Sequence, residues 1–307
     1  MTTFDLTYQL MLSVLIPVFH CDPFALVRDL QQQLEQSGIV YEILIGDDTP
    51  SATKPDYQVK LEQSPHVIGT YRQQPLGRSA NRNRLAQTAS YPFLLFIDGD
   101  AAVPGPGFIE RYVSRLQTDR VLVGGTLYHP QKPSDPALEL RWKYGRSREE
   151  VPAAKRRLHA WKSFTTFNFC IPAQLFHAIR FDEGITGYGH EDTLFGFQLN
   201  QMGVPVEHLD NGLLHLGLEP AEPFLDKVDE SVVNLMRLYH TGVITRKMAQ
   251  DIRLLNQWIH LKQSGLDWLN RILFGLVRKA LRKRLLRPNP PLLALDLYKL
   301  GMACRIG

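Results

Sequence analysis

A chain of 307 residues with 35 Lys/Arg against 31 Asp/Glu, 44% apolar and 21% charged residues has the balance of a soluble globular protein. Its size fits one large domain with an appendage or two domains, and the lack of low-complexity tracts or an internal repeat excludes fibrous and disordered classes. The net charge of +4 is local: residues 271–287 hold seven Lys/Arg and no acid, leaving 28 basic against 31 acidic residues elsewhere. That argues against a nucleic-acid-binding surface and for one cationic element.

Three scattered cysteines (Cys21, Cys170, Cys304) make neither a disulfide framework nor a metal-knuckle spacing, which favours a reducing compartment. Residues 1–12 contain no Lys or Arg, and no run of 18 uncharged apolar residues occurs, so neither a signal peptide nor a membrane span is expected.

Residues 12–18 (LSVLIPV) read as a buried first strand. Asp22-Pro23 offers a cap and a first-turn proline, and Phe24, Val27, Leu30 and Leu34 follow at helical spacing until Gly38. Residues 41–46 (YEILIG) form a second strand that ends in Asp47-Asp48 before a Thr-Pro-Ser turn, and residues 66–72 a weaker third. Gly77 opens RSANRNRLAQTA, which reads either as a solvated basic helix or as a helix N-terminus with Arg78 and Arg82 suited to a diphosphate.

Phe93–Ile97 is apolar at every position, as a central parallel strand requires, and it stops at Asp98-Gly99-Asp100. Open α/β sheets bind ligands at the carboxyl ends of their strands. Side chains at i and i+2 of an extended segment point the same way, so Asp98 and Asp100 can converge on one Mg²⁺ or Mn²⁺. The alternative is a solvated Asp-Gly turn. A helix at 107–116 and a strand at 121–126 complete a mostly parallel, nucleotide-binding pattern.

Residues 130–162, polar and proline-punctuated, read either as an acceptor-facing insertion or, the plainer reading, as a surface excursion anchored by Trp142, Tyr144 and Trp161. Residues 163–171 alternate like a strand. A glycine-rich loop, FDEGITGYGHED, then leads into a helix opened by Glu191-Asp192, carboxylates that also suit simple dipole capping. His215 lies in the apolar run 212–217, where a buried structural histidine is the plainer reading. Residues 265–287 carry an apolar helical stripe (Trp268, Leu269, Ile272, Leu273, Leu276, Val277) opposed by Arg271, Arg278, Lys279, Arg282 and Lys283. Such a helix either lies in an anionic membrane surface or packs on the protein with its basic face in water.

LSVLIPVFH, the strand ending Gly-Asp-Asp, Gly77 with Arg82-Asn83, LLFIDGD, NFCI before FDEGITGYGHED, and the downstream His215 together resemble glycosyltransferase family 2 with the GT-A fold. The resemblance runs in order from about residue 12 to 216. It implies an α/β fold with a mixed sheet flanked by helices, and a sugar moved with inversion from a nucleotide-sugar donor, usually a UDP-sugar. It also implies a divalent cofactor, Mn²⁺ or Mg²⁺, and a glycan or lipid-linked saccharide as acceptor. Carried over by position, Pro17 and Val18 with Asp47 or Asp48 would frame the uracil, and Arg78 and Arg82 would lie near the nucleotide. Asp98 would face the ribose or metal and Asp100 would hold the metal. Asp192 would be the base, Glu191 would bind the acceptor, and His215 would match a third metal contact.

The second strand departs from the family in ending Asp-Asp-Thr-Pro rather than Asp-Asp-Gly-Ser, and the Gln-x-x-Arg-Trp segment of processive synthases is missing. A non-processive enzyme fits better, with a catalytic domain at 1–218 and a helical extension at 219–307. Its expected place is the cytoplasm or the inner face of the plasma membrane. Two competing readings are a non-catalytic GT-A scaffold and a DxD phosphatase. The phosphatase motif comes early in its domain and carries Thr or Val where Ala102 stands here.

Overall fold

Apolar runs alternating with helical stretches dictate a parallel core, and the computed structural model, which describes residues 10–50, 56–185 and 187–307, begins that way. Strand β1 (Met11–Val18), helix α1 (Phe24–Ser37) and strand β2 (Val40–Asp47) come first, with Gly38 closing α1 at a left-handed φ of 68°. Asp22, two residues ahead of the helix, accepts from the Phe24 N–H at 2.8 Å, while Pro23 takes the cap position. A short helix α2 (Asp56–Glu62), strand β3 (Val67–Tyr71), helix α3 (Arg78–Thr88) and strand β4 (Phe93–Ile97) follow. Ser51 of the expected turn after β2 lies outside the described residues.

Next come β5 (Ala101–Ala102), α4 (Phe108–Val113), β6 (Val121–Val123), β7 (Thr126–Leu127), α5 (Glu139–Tyr144) and α6 (Ala153–Arg157). They are followed by β8 (Asn168–Pro172), α7 (Ala173–Ile179), α8 (Glu191–Gln201), β9 (Val206–His208) and β10 (Leu213–His215). Five helices end the chain: α9 (Ala221–His240), α10 (Arg246–Ala249), α11 (Arg253–Gln263), α12 (Asp267–Leu285) and α13 (Leu292–Ile306).

The main sheet has seven strands in the order β3-β2-β1-β4-β8-β6-β9, and a small second sheet has the order β5-β10-β7. β1 pairs in parallel with β2 from Met11↔Val40 to Val18↔Asp47, and with β4 from Leu12↔Phe93 to Leu15↔Phe96. β8 runs antiparallel to both β4 and β6, so the sheet is mixed, although its other four pairings are parallel as expected. The register sets the carboxyl ends of β1, β2, β3 and β4 along one edge.

The chain divides into two compact units. The first comprises the described residues of Met1–Thr126, Pro152–Phe181 and Gln198–Leu216, and the second Leu127–Val151, Asp182–Phe197 and Gly217–Gly307. Leu12, Val14, Ile16, Ile43, Ile45 and Leu95 fill the core of the first unit between sheet and α1. On the sheet's other face Phe96 stacks on Phe169 at 4.7 Å between centroids and on Phe176 at 5.0 Å, with Phe181 edge-on to all three.

Residues 130–162 lie mostly at the surface, with Trp142 Nε1 donating to His129 O at 2.8 Å, but charged side chains tie the segment down as well as aromatics. In the second unit Glu139, Leu140 and Arg141 of α5 are buried, with Arg141 held by Glu149 at 3.1 Å. In the first unit Arg156 of α6 is buried and donates to the carbonyls of Val123, Gly124 and Leu209. Composition alone did not reveal that these two arginines are consumed internally. Helix α3 is no solvated basic helix: Ser79, Asn81 and Arg82 are buried.

Candidate active site at the carboxyl edge of the sheet

Gly46 and Gly99 let the backbone close up at this edge. A Cβ on Gly46 would run into Asn81 Oδ1, and Asn81 Nδ2 instead donates to Gly46 O at 2.7 Å, docking α3 on β2. Gly99 donates its N–H to Pro17 O at 3.1 Å, and a Cβ there would sit 2.9 Å from Val18 Cγ2. Val18 O in turn accepts from the Asp48 N–H at 2.9 Å. Pro17 and Val18 thus bind the ends of β2 and β4 together through their carbonyls.

The two carboxylates after β2 have different surroundings. Asp47 accepts from the Thr49 N–H at 2.8 Å, from Gln58 Nε2 at 3.1 Å and from the Tyr57 hydroxyl. Asp48 Oδ2 accepts from the N–H groups of Leu76 at 2.9 Å and Gly77 at 2.8 Å, which fixes the entry to α3. Asp48 Oδ1 is buried and has no hydrogen-bond partner among the described residues.

Beyond Ile97 the chain turns at once, with the Ala101 N–H donating to Asp98 O at 3.2 Å. The segment is not extended, so the same-side geometry expected of positions i and i+2 does not hold. Instead, Asp98 Oδ1 pairs with Arg82 Nη2 at 2.6 Å, and Asp100 Oδ2 lies 3.5 Å from His215 Nε2. Burial pushes the Asp98 carboxyl up; the Arg82 charge opposes that, and the charge of Asp100 adds to it. Arg82 is itself seated over the Phe181 ring, 5.8 Å from its centroid, so the aromatic cluster under the sheet fixes the cation that fixes Asp98. Cys21, nearby, is pushed up to about 12 by burial and stays a neutral thiol.

His215 is placed by β-pairing: it opposes Ala101 across β10 and β5, and the Leu216 N–H donates to Asp100 O at 2.8 Å. Its ring tilts against Phe167 at 5.3 Å. Among the described residues no three His, Cys, Asp or Glu side chains gather as a ready-made metal cage. The donor set still fits a hard divalent ion that takes one or two protein ligands and completes its sphere with substrate phosphates. Two ligands at right angles on bonds of 2.0–2.1 Å lie about 3 Å apart, close to the Asp100–His215 separation.

In the second unit, the glycine-rich loop approaches α9 so closely that two glycines are required. Gly187 and Gly189 both have φ of 90°, and a Cβ on Gly189 would meet Ser231 Oγ at 2.9 Å. Asn234 Nδ2 donates to Gly189 O at 3.1 Å, and Ser231 Oγ lies 3.1 Å from His190 Nε2. Burial holds His190 neutral, with its pKa lowered to about 4. The loop delivers Glu191 and Asp192 to the first turn of α8, where Asp192 Oδ1 accepts from the Thr193 N–H at 2.6 Å. Thr186 lies outside the described residues.

Sequence reasoning missed Tyr57 and Gln58, which hold Asp47 from a short helix with no apolar signature, and the full role of Asn83. Asn83 bonds the Phe181 backbone both ways, Nδ2 to O at 2.8 Å and N–H to Oδ1 at 2.9 Å. The Arg82-Asn83 pair was therefore a readable signal, and in the structure both side chains make positioning contacts, Arg82 to Asp98 and Asn83 to Phe181.

Carboxylates, an arginine and a histidine gathered at the strand ends of a mixed seven-stranded sheet define a GT-A-type α/β fold. The mannosyltransferase PcManGT from Pyrobaculum calidifontis, solved with GDP-Man and Mn²⁺, superposes with a TM-score of 0.55 at 10% identity, covering 98% of this chain and 88% of that one. Glucosyl-3-phosphoglycerate synthase from Mycobacterium tuberculosis, solved with Mn²⁺, UDP and glucosyl-3-phosphoglycerate, gives 0.50 at 16% identity, over 74% and 79% of the two chains. Residues 13–177, more than half the chain, match the family described as Glycosyl transferase family 2, and the chain belongs to that family. Validoxylamine A glucosyltransferase of Streptomyces hygroscopicus subsp. limoneus is 27% identical over 225 residues, 64% of this chain and 49% of the relative. The chain spans about half the length of the curated relatives it matches.

Proposed function

We propose that the protein is a metal-dependent, inverting glycosyltransferase that moves a sugar from a nucleotide-sugar donor, a UDP-sugar first among candidates, to a glycan or lipid-linked saccharide. The observation that carries this reading is the approach of Asp100 to His215 at 3.5 Å, beside the Asp98–Arg82 pair, at the carboxyl edge of the sheet. Family membership supports it, as does the nucleotide and Mn²⁺ content of the two structural relatives.

In this reading Asp48 rather than Asp47 receives the base. Asp47 already accepts three internal hydrogen bonds, whereas Asp48 Oδ1 is a buried acceptor that the uracil N–H would satisfy. Pro17 and Val18 wall the base. Asp98, oriented by Arg82, faces the ribose or the cation, and Arg78, exposed in the first turn of α3, meets the phosphates. Asp100 and His215 hold a divalent cation, Mn²⁺ ahead of Mg²⁺ because an imidazole is the softer ligand. Bound there, the cation would neutralise charge on the departing diphosphate. Glu191 would orient the acceptor hydroxyl and Asp192 would take its proton, the roles that suit an inverting transfer. Residues 1–218 carry this chemistry and 219–307 form a helical extension.

The test is release of nucleoside diphosphate from a panel of nucleotide sugars with a mixed saccharide acceptor, with Mn²⁺ and with EDTA. Turnover of at least one donor that EDTA abolishes is expected. No turnover together with Mn²⁺-enhanced UDP binding would identify a non-catalytic scaffold, and hydrolysis of a simple phosphate ester would identify a phosphatase.

A further inference from the structure

Amphipathic helices on globular proteins turn their apolar stripe inward and their charges to water. Helix α12 instead leaves most of its apolar stripe outward and turns two of its arginines toward the protein. Its inward positions include Arg278 and Arg282, which reach α9: Arg282 pairs with Asp226 at 2.6 Å and with Asp229 at 3.5 Å, and Arg278 reaches Asp229 at 3.4 Å. Tyr298 of α13 donates to the same Asp229 at 3.0 Å. Only Phe274 and Leu285 of α12 are buried. The stripe expected to anchor the helix faces outward, with Trp268 58%, Ile272 53%, Leu273 51% and Leu276 78% exposed. Spacings of three and four residues place these side chains along one side of about two and a half turns.

Isolated exposed leucines need no explanation, but a contiguous large apolar row on one helix marks an interaction surface. Its charge selects the occupant. Lys279, Lys283 and Arg284 are exposed on the same helix, whereas its one acid, Asp267, lies in the first turn. Two copies docked through this row would bring like charges together, while a layer of anionic headgroups over an apolar interior matches both the row and its cationic flank. No helix among the described residues is long and apolar enough to cross a membrane, so the contact is one of lying in the surface.

We propose that α12 docks the protein on an anionic lipid bilayer, with Trp268, Ile272, Leu273 and Leu276 inserted among the acyl chains and Lys279 and Lys283 on the headgroups. Arg278 and Arg282 act within the protein, clamping α12 to α9 so that the helix is presented with its apolar row already outward. This inference stands independently of the transfer reaction.

Co-sedimentation of the full chain with vesicles of mixed phosphatidylglycerol and phosphatidylcholine tests it. Binding is expected to weaken on pure phosphatidylcholine and in high salt, and the Trp268 emission should shift blue on binding, a shift lost in Trp268→Phe. Ile272→Glu/Leu276→Glu should weaken binding roughly a hundredfold, from the loss of two buried aliphatic side chains. Lys279→Gln/Lys283→Gln should weaken it roughly tenfold or more, at about 1 kcal/mol per headgroup contact. Because these side chains face outward, both variants should keep the parent's melting temperature, and Lys279→Gln/Lys283→Gln keeps the test open if the other variant fails to fold. Failure of the parent to bind, or equal binding by the Lys279→Gln/Lys283→Gln variant, overturns the proposal. So does a concentration-dependent dimer that Leu276→Glu dissociates while the parent ignores vesicles.

Discussion

Two pairs of adjacent or near-adjacent aspartates stand at the sheet edge, and within each pair the environment divides the labour. Asp47 is saturated by Thr49, Tyr57 and Gln58, whereas Asp48 keeps one acceptor oxygen. Asp48→Asn, which can still accept from Leu76 and Gly77, should fold normally yet lose on the order of tenfold or more in UDP affinity, the worth of a hydrogen bond to a charged group. Asp47→Asn should chiefly lower the melting temperature; calorimetry with and without UDP separates the two. Asp98 is oriented by Arg82, and Asp100 stands with His215. Asp100→Ala should therefore abolish the gain in UDP affinity that Mn²⁺ confers, and unchanged Mn²⁺ enhancement would remove Asp100 from the metal. Asp192→Asn should preserve that enhancement while slowing transfer by on the order of 10²–10⁴-fold, because an amide cannot take the acceptor's proton. Near-normal turnover would move the base elsewhere.

At the scale of elements, the loop before α8 depends on glycines for its close approach to α9. Gly189→Ala would place a side chain in the left-handed region and 2.9 Å from Ser231 Oγ. It should cost about 1–3 kcal/mol of stability and most of the transfer rate, with UDP affinity intact. Adding Ser231→Ala should relieve the steric part alone, and full recovery in denaturant melts would show that the backbone bears no strain. Elements of this kind were legible when composition and position agreed. The strands β1, β2 and β4, helix α1 with its Gly38 stop, and the carboxylates at their ends could all be read from apolar runs and punctuation. The antiparallel insertion of β8 could not, because its pairing is long-range and its residues are buried like those of any central strand. For α5 and α6 the surface position was legible but the internal partners of Arg141 and Arg156 were not, and for α12 the two faces were legible but not which of them the protein covers. Periodicity reports that two faces differ; which one the protein keeps depends on acids supplied by α9 far along the chain.

For the whole molecule, the formal charge says little about pH response, because each compact unit holds a histidine kept neutral, His208 fully buried and His190 half-buried. In the first, His208 is fully buried; its Nδ1 accepts from Arg156 Nη1 at 2.6 Å and its Nε2–H donates to Ala160 O at 2.8 Å. Arginine offers only donors, so this arrangement requires an unprotonated Nδ1, and burial together with the Arg156 charge lowers the His208 pKa to about 4. His190 in the second unit is lowered to about 4 chiefly by burial. An unfolded histidine titrates near 6.5, so between about pH 6.5 and 4 the unfolded chain binds protons that the folded chain does not. Stability must then rise with pH across that window: the contribution is complete above 6.5 and is lost as the medium is acidified toward 4. Each histidine contributes at most about 3 kcal/mol. Denaturant unfolding at pH 7 and pH 5 measures the difference. His208→Gln retains an acceptor and a donor in similar places but cannot titrate, so it should flatten the pH dependence while costing little at pH 7. His190→Asn, which tolerates the left-handed backbone at φ 78°, should do the same for the second unit. If the parent is equally stable at both pH values, or if His208→Gln keeps the parent's slope, the buried imidazole is not the group that acid attacks.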